Sequence, residues 1–330
     1  MKKQEIKIVI GFALFVLIGV GAKLALAIPK EGVRAGSEQF KAEVMVPVNQ
    51  EMPIKNSETE LLSKPEINVA PPKDKTDDKK FPDNLAVESA VAIDLDTGEK
   101  YFVLNEERRW PIASLSKVMT ATIALENYKL DDKVILSEKA ADAYGTAGDF
   151  HAGETYTVQD LITSMMVVSS NKAAVALSEN MEGNKFVDLM NKKAHDLGML
   201  NTYYNEPSGM SSLNQSSLSD LMLLTKYVWQ NHPEIFSASH KTKASITEIN
   251  GGKTRTLTNI NQLVYDPRFV GGKTGFTDDA RQNLISTFSL NNKRVVIMIF
   301  GAEDRITEAK KIIAFLTEKQ KSDNDKNKNN

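Results

Sequence analysis

The chain has 330 residues, 41% of them hydrophobic and 25% charged, which is enough to bury one full-sized core and does not point plainly to two. A net charge of -2 leaves no electrostatic footprint for nucleic acid. There is no cysteine, which excludes disulfides and cysteine-ligated metal, and His151, His195, His232 and His240 lack metal-binding spacing, so neither metal nor cofactor is expected.

Lys2 and Lys3 precede an uncharged apolar run, Ile8 to Ala22, then Lys23 and Leu24-Ala25-Leu26-Ala27-Ile28. Residues 1–28 read as an export segment with two alternatives. One is a secretory signal cleaved after Ala27. The other is an uncleaved membrane anchor from Ile6 to Ile28, with Lys7 and Lys23 snorkelling to the two interfaces. Either way the bulk is exported, and retention as a tether is preferred. Residues 29–82 are rich in Glu, Lys, Pro, Asn and Asp with scattered apolar positions, the composition of a disordered linker. As a flexible coil it would reach roughly 40 Å.

A single domain is expected over 83–318. Strands at Ser89 to Leu95 and Lys100 to Leu104 flank the turn Asp96-Thr97-Gly98. That tripeptide also occurs in aspartic proteases, which need two facing copies; no second copy exists, so that reading is rejected.

Arg109-Trp110-Pro111-Ile112-Ala113 then leads into Ser114-Leu115-Ser116-Lys117. Leu115, Val118, Met119 and Ile123 stand at helical spacing and predict a helix from Ser114 to Asn127. Residues three apart share a helix face, so the Lys117 amine reaches the Ser114 hydroxyl. Free N–H groups and the helix dipole favour negative charge beside Ser114, as attack on a carbonyl requires. Lysine is a base only when neutral, which takes desolvation or a nearby cation; Lys273 is the expected cation. Alone, this Ser-x-x-Lys tetrad, which recurs at Ser169 to Lys172, fits an amphipathic core helix with a surface lysine equally well.

Helices at Val158 to Val168, opened by a Thr157/Asp160 capping box, and at Lys172 to Asn180 flank a loop at Ser169-Ser170-Asn171. In a catalytic reading Ser169 relays a proton to a leaving amine, while Asn171 hydrogen-bonds a substrate amide and orients Lys117. In a purely structural reading Asn171 is a helix N-cap. Further helices are predicted at Phe186 to Leu197 and Ser219 to Gln230.

A strand from Val270 to Lys273 enters Lys273-Thr274-Gly275-Phe276. A phosphate loop is excluded because Pro267 stands where its first glycine is needed. The glycines would let substrate backbone approach. Lys273 and Thr274 would hold a terminal carboxylate, and the Phe276 N–H would join that of Ser114 in an oxyanion hole. Strands at Leu284 to Leu290 and Arg294 to Phe300 meet at a tight Asn291-Asn292 turn. A helix from Ile306 to Leu316 and a disordered tail, 319–330, follow. The fold class is α/β in the α+β sense: an antiparallel sheet with helices on its faces, most of them inserted between early and late strands.

The three motifs in this order, with Pro111 to Thr120 around the serine and the lead-in Ala90 to Asp94, resemble the serine-type D-Ala-D-Ala carboxypeptidases, the low-molecular-mass penicillin-binding proteins. The likeness runs from about Leu85 to Leu316. It implies a β-lactamase/transpeptidase-like fold with a helical insertion. It also implies a peptidoglycan stem peptide ending in D-Ala-D-Ala as substrate, removal of the terminal D-Ala, and β-lactam antibiotics as covalent inhibitors acylating Ser114. Ser114, Lys117 and Ser169 are the catalytic candidates; Asn171, Lys273, Thr274, Gly275 and Phe276 are the substrate-binding ones. Phe276 stands where the family often has His, which is expected to tune rate or inhibitor affinity. Ser216-Ser217-Leu218-Ser219-Asp220 keeps the aspartate of a family motif and lacks its histidine. The C-terminal β-rich domain and membrane helix of many members are not seen. A β-lactamase and a catalytically idle wall-binding protein are the alternatives; the first is weakened because no Glu-x-x-Leu-Asn loop lies between the second and third motifs.

Overall fold

The computed structural model describes Pro82 and residues 84–328, with side chains as far as 318. The expectations for the export segment and the linker lie outside the described residues. Two antiparallel strands come first, β1 (Ser89–Asp94) and β2 (Lys100–Leu104). Asp94 builds their turn: its Oδ1 accepts from the N–H groups of Asp96 and Thr97 at 2.9 and 3.0 Å, and Gly98 takes the left-handed φ of +76°. Asp96 itself pairs with Arg294, a structural use in keeping with rejection of the aspartic-protease reading.

A short strand, β3 (Trp110–Pro111), delivers the chain into a 3-10 turn, Ala113–Leu115, and helix α1 (Ser116–Asn127). The helical half continues with α2 (Glu138–Asp142), α3 (Val158–Val167), α4 (Asn171–Glu179), α5 (Lys185–Asp196), α6 (Leu218–Asn231) and α7 (Glu234–Ala238). Short strands brace it: β4 (Lys133–Ile135) pairs with β5 (Thr155–Thr157), β3 with β6 (Gln215–Ser216), and β7 (Lys243–Thr247) with β8 (Thr254–Thr258). The chain then returns to the sheet as β9 (Phe269–Thr277), β10 (Arg281–Leu290) and β11 (Lys293–Ala302), and ends in α8 (Arg305–Lys328). The sheet order is β2-β1-β11-β10-β9, every neighbour antiparallel, with the helical half inserted between its early and late strands.

Both faces of this sheet are covered, which explains why β11 reads as an unbroken apolar run and not as an alternation. Val296, Met298 and Phe300 enter the core shared with the helical half, whereas Val295, Ile297 and Ile299 pack with Ile312, Ile313 and Leu316 beneath α8. All six strand residues are fully buried, each contributing about 1.5–3 kcal/mol by removal from water.

Most expected elements are present with ends moved by one or two residues, and Asn291 and Asn292 both take the left-handed φ of their tight turn. Three differences matter. The nucleophile candidate lies in a 3-10 turn preceding α1, not inside an α-helix. β9 runs through Thr277, so the whole Lys-Thr-Gly motif is strand. Helix α8 continues to Lys328 over residues expected to form a disordered tail, because no Gly or Pro interrupts the chain after Gly301 and Glu, Lys and Gln propagate a helix well.

Candidate active site

The serine turn is held from behind and from one side. Pro111 O accepts from Asn283 Nδ2 of β10 at 2.8 Å, the Ile112 N–H donates to Asn214 O at 2.9 Å, and Trp110 Nε1 donates to Ala280 O at 2.8 Å. Ala113 is thereby driven to φ +48°, a conformation costing a non-glycine residue roughly 1–3 kcal/mol. Ser116 Oγ donates to Ala113 O at 2.8 Å and secures it. The result is a half-buried Ser114 at the end of β3, ahead of a helix whose first N–H groups lack intrahelical acceptors.

Lys117, one turn further, is fully buried, and its Nζ is satisfied three ways. It donates to Ser114 Oγ at 2.9 Å, to Asn171 Oδ1 at 2.7 Å and to Ser208 O. Asn171 Nδ2 donates to Tyr144 O at 2.8 Å, which fixes the amide with its oxygen towards the lysine. Two of the three partners are carbonyl oxygens that only accept. When Lys117 loses a proton its two remaining hydrogens must serve them, and the lone pair is left facing the one partner able to donate, the Ser114 hydroxyl. Burial lowers the Lys117 pKa to about 7, with Glu206 pulling the other way. Burial, not the neighbouring cation expected from the sequence, is thus what brings the amine down. Repulsion between the two amines bears on Lys273, held well below the ordinary lysine range by burial first, then by Lys117 and Arg305.

Lys273 Nζ donates to Ser169 Oγ at 2.9 Å and to Thr274 O at 2.7 Å. The α3–α4 loop thus meets β9 at a second lysine–serine pair. Ser169 takes φ +60°. Ser170 caps α4, accepting from the Ala173 N–H at 3.3 Å, which leaves Asn171 free to serve Lys117 and removes the reading of Asn171 as a cap.

The glycines act differently from the expectation that they admit substrate backbone. A Cβ on Gly271 would meet Phe236 O at 2.5 Å and one on Gly272 would meet Ile285 O at 2.2 Å, so both admit the protein's own backbone. Gly275 faces the serine turn: its Cβ would lie 2.9 Å from Ile112 O and 3.3 Å from Ser114 N. This close approach sets β9 beside Ser114. The Phe276 side chain is 58% exposed at the rim. Ser216 Oγ lies 2.7 Å from Thr202 Oγ1, and Asp220 Oδ2 accepts from Asn201 N and Thr202 Oγ1 at 2.7 Å each, so this segment anchors 201–202 to α6.

Two contributions escaped the sequence reading. Arg305, at the start of α8, donates through Nη1 to Gly275 O at 2.7 Å and adds positive charge beside Lys273. Residues 205–214 close the back of the site, and their only sequence signal is the turn-forming Pro207-Ser208-Gly209. Gly209, at φ +84°, leaves no room for a side chain: a Cβ would fall 2.0 Å from Ala113 O. Gly209→Ala is expected to lower the thermal midpoint and to slow any reaction at Ser114 by about 10²-fold, since it displaces the serine turn itself; a melting curve and an acylation rate on the same sample check it.

Among the described residues no group of His, Asp, Glu or Cys could hold a metal ion, and no helix is long and apolar enough to cross a membrane. A family model described as D-alanyl-D-alanine carboxypeptidase matches residues 75–304. A D-alanyl-D-alanine carboxypeptidase of Bacillus subtilis is 32% identical over 239 residues, 69% of this chain and 61% of that relative, so the chain spans under two thirds of its length. A D-alanyl-D-alanine endopeptidase of Pseudomonas aeruginosa is 31% identical over 229 residues, 68% of this chain and 74% of the relative. Among solved structures, penicillin-binding protein D2 of Listeria monocytogenes, in its ampicillin-bound form, superposes with a TM-score of 0.63 at 29% identity, over 70% of this chain and 97% of that one.

Proposed function

The chain belongs to the D-alanyl-D-alanine carboxypeptidase family of serine peptidases, and from that membership we propose that it removes the terminal D-Ala from peptidoglycan stem pentapeptides through an acyl-enzyme on Ser114. The observation that carries this reading is the placement of Lys117 Nζ, 2.9 Å from Ser114 Oγ and held there by two carbonyl oxygens that only accept.

In the first step Ser114 Oγ attacks the carbonyl carbon of the penultimate D-Ala, and its proton passes to Lys117 Nζ. The oxyanion that forms is taken by the N–H groups of Ser114 and Phe276. Collapse breaks the amide C–N bond, and the leaving nitrogen gains a proton from Ser169, whose oxygen accepts from Lys273 at 2.9 Å; Ser169 is reprotonated at the expense of the Lys117 ammonium, so the proton first taken from Ser114 ends on the departing amine and Lys117 is neutral again. D-Ala departs. Water then attacks the ester carbonyl and gives a proton to the neutral Lys117; the ester C–O bond breaks, and Ser114 Oγ takes that proton back from Lys117. Lys273, Thr274 and the nearby Arg305 offer a terminal carboxylate charge-assisted hydrogen bonds, and Asn171 positions both Lys117 and the peptide amide. β-lactams, whose strained amide resembles the scissile bond in charge and shape, acylate the same hydroxyl. Peptidoglycan lies outside the cytoplasmic membrane, so the protein works there, and residues 1–28 would tether it.

Incubation of the purified protein with a pentapeptide ending in D-Ala-D-Ala, with chromatographic detection of free D-Ala, tests the proposal. Release of D-Ala is expected, and none from a folded sample would refute it. A second reading, cleavage at an internal bond, is favoured by the endopeptidase relative, more of whose length is matched. The cationic groups around Thr274 favour a free carboxylate instead, so a substrate with that carboxylate amidated should be cut markedly more slowly.

A further inference from the structure

Glu206 belongs to none of the three motifs. Its Oε2 accepts from the N–H and hydroxyl of Ser208 at 2.7 and 2.6 Å, and its Oε1 from the N–H groups of Gly209 and Ser211 at 2.5 and 3.3 Å. Four donors within a few residues wrap the segment around one carboxylate. Two atoms are fixed by this wrapping: Ser208 O, which takes a Lys117 N–H, and the Gly209 Cα, seated against the Ala113–Ser114 peptide. The far side is fastened independently. Asn214 accepts from the N–H groups of Asn205 and Glu206 at 2.8 and 3.2 Å and donates to Ser116 Oγ and Glu206 O at 2.9 and 2.8 Å. Thr120 Oγ1 of α1 donates to Pro207 O at 2.6 Å.

Every hydrogen-bond donor to the carboxylate is neutral, and among the described residues Glu206 forms no ion pair, so its charge is not cancelled by a local cation. Glu206 from this loop is the charged group that acts on Lys117; Lys117 in turn bears on Lys273 of β9, as does Arg305 of α8. Asn171 and Ser114 contribute only neutral dipoles. During acylation Lys117 must become an ammonium ion in a buried site, a change that burial opposes. Glu206 favours it.

Resting on the reading of Lys117 as base, we infer that Glu206 is a positioning residue: its carboxylate holds the 206–211 loop against the serine turn and supplies the negative charge that lets the buried amine accept the Ser114 proton. A structural carboxylate would influence only how many molecules are well ordered. A charge acting on Lys117 must move the pH dependence of the reaction.

The test measures the rate of benzylpenicillin acylation, by intact mass, across about pH 5–9 for the wild type, Glu206→Gln and Glu206→Asp. Removing the anion makes Lys117 harder to protonate, so the neutral base persists to lower pH. The acid limb of Glu206→Gln is expected to shift down by roughly one unit, with a plateau about tenfold lower or worse because the ammonium-forming step loses its counter-charge. Glu206→Asp, which keeps the charge but withdraws it by one methylene, should fall between. If both variants lose rate with the limb unmoved, or the limb moves up, the inference is overturned. Should the glutamine variant not fold, the aspartate variant decides by the direction of its limb. A wild type that is not acylated at any pH would instead defeat the underlying mechanism, a distinct outcome.

Discussion

Replacing Ser114 by alanine is expected to bring D-Ala release to background and to abolish covalent labelling by penicillin, with the fold intact. Removing the nucleophile from a coupled constellation typically costs on the order of 10⁶-fold in kcat, far more than removal of any group that only binds. Ser114 is half-buried, and the hydrogen bonds that hold its turn run through Pro111, Ile112, Ala113 and Ser116 rather than through its own hydroxyl. The thermal midpoint should therefore stay within about 2 °C of the wild type. This combination separates the catalyst from an idle wall-binding protein: if the alanine variant still released D-Ala, the covalent route would be wrong, and if the wild type were equally inert, binding would be the better account.

Lys117→Met is the second large effect. Methionine nearly fills the same space but carries no base, and acylation of Ser114 should fall by about 10³-fold, within the span usual for loss of a general base. The pH dependence should change as well. In the proposed mechanism the base is the neutral Lys117 amine, whose pKa is lowered to about 7. Below that value the ammonium form has all three hydrogens committed to Ser114, Asn171 and Ser208, and the rate should drop about tenfold per pH unit. Above it the rate should level. The methionine variant should retain only a small, pH-independent rate on the acid side. A variant with wild-type rates, or with the same acid limb, would show that another group takes the Ser114 proton.

What the sequence made legible was local chemistry and periodicity. Leu115, Val118, Met119 and Ile123 announced α1, Thr157 and Asp160 announced the start of α3, and Asn291-Asn292 the β10–β11 turn; each depends on neighbours in the chain, and each is present, α1 with its first two expected residues in a 3-10 turn instead. The pairing of Ser114 with Lys117 is also local, three residues apart, although it is made from a 3-10 turn into the first turn of α1 and not within one α-helix. The meeting of Lys273 with Ser169 spans 104 positions and was accessible only through the resemblance of the whole motif set. Pure physical reading failed where long-range packing decides. Ser170 and Asn171 are both good caps, and only contact with Lys117 and Tyr144 selects between them. The glycines at 271 and 272 looked like openings for a ligand, yet the backbone of Phe236 and Ile285 occupies that space. Of the two ways of keeping Lys117 neutral, desolvation or a nearby cation, Lys273 was named as the cation, yet burial, which no pattern of residues displays, is what lowers the amine. Glu206 and Arg305 sit in a turn and at a helix start, positions where charged residues are routine and carry no signal of their purpose. The short helices α2 and α7 have too few turns to show periodicity.

The most direct measurement is the mass of the full-length protein after exposure to benzylpenicillin, followed by peptide mapping. One penicilloyl adduct per chain, located on the peptide containing Ser114 and absent from Ser114→Ala, is the predicted result. An unmodified folded protein, or an adduct on any other residue, would contradict the account.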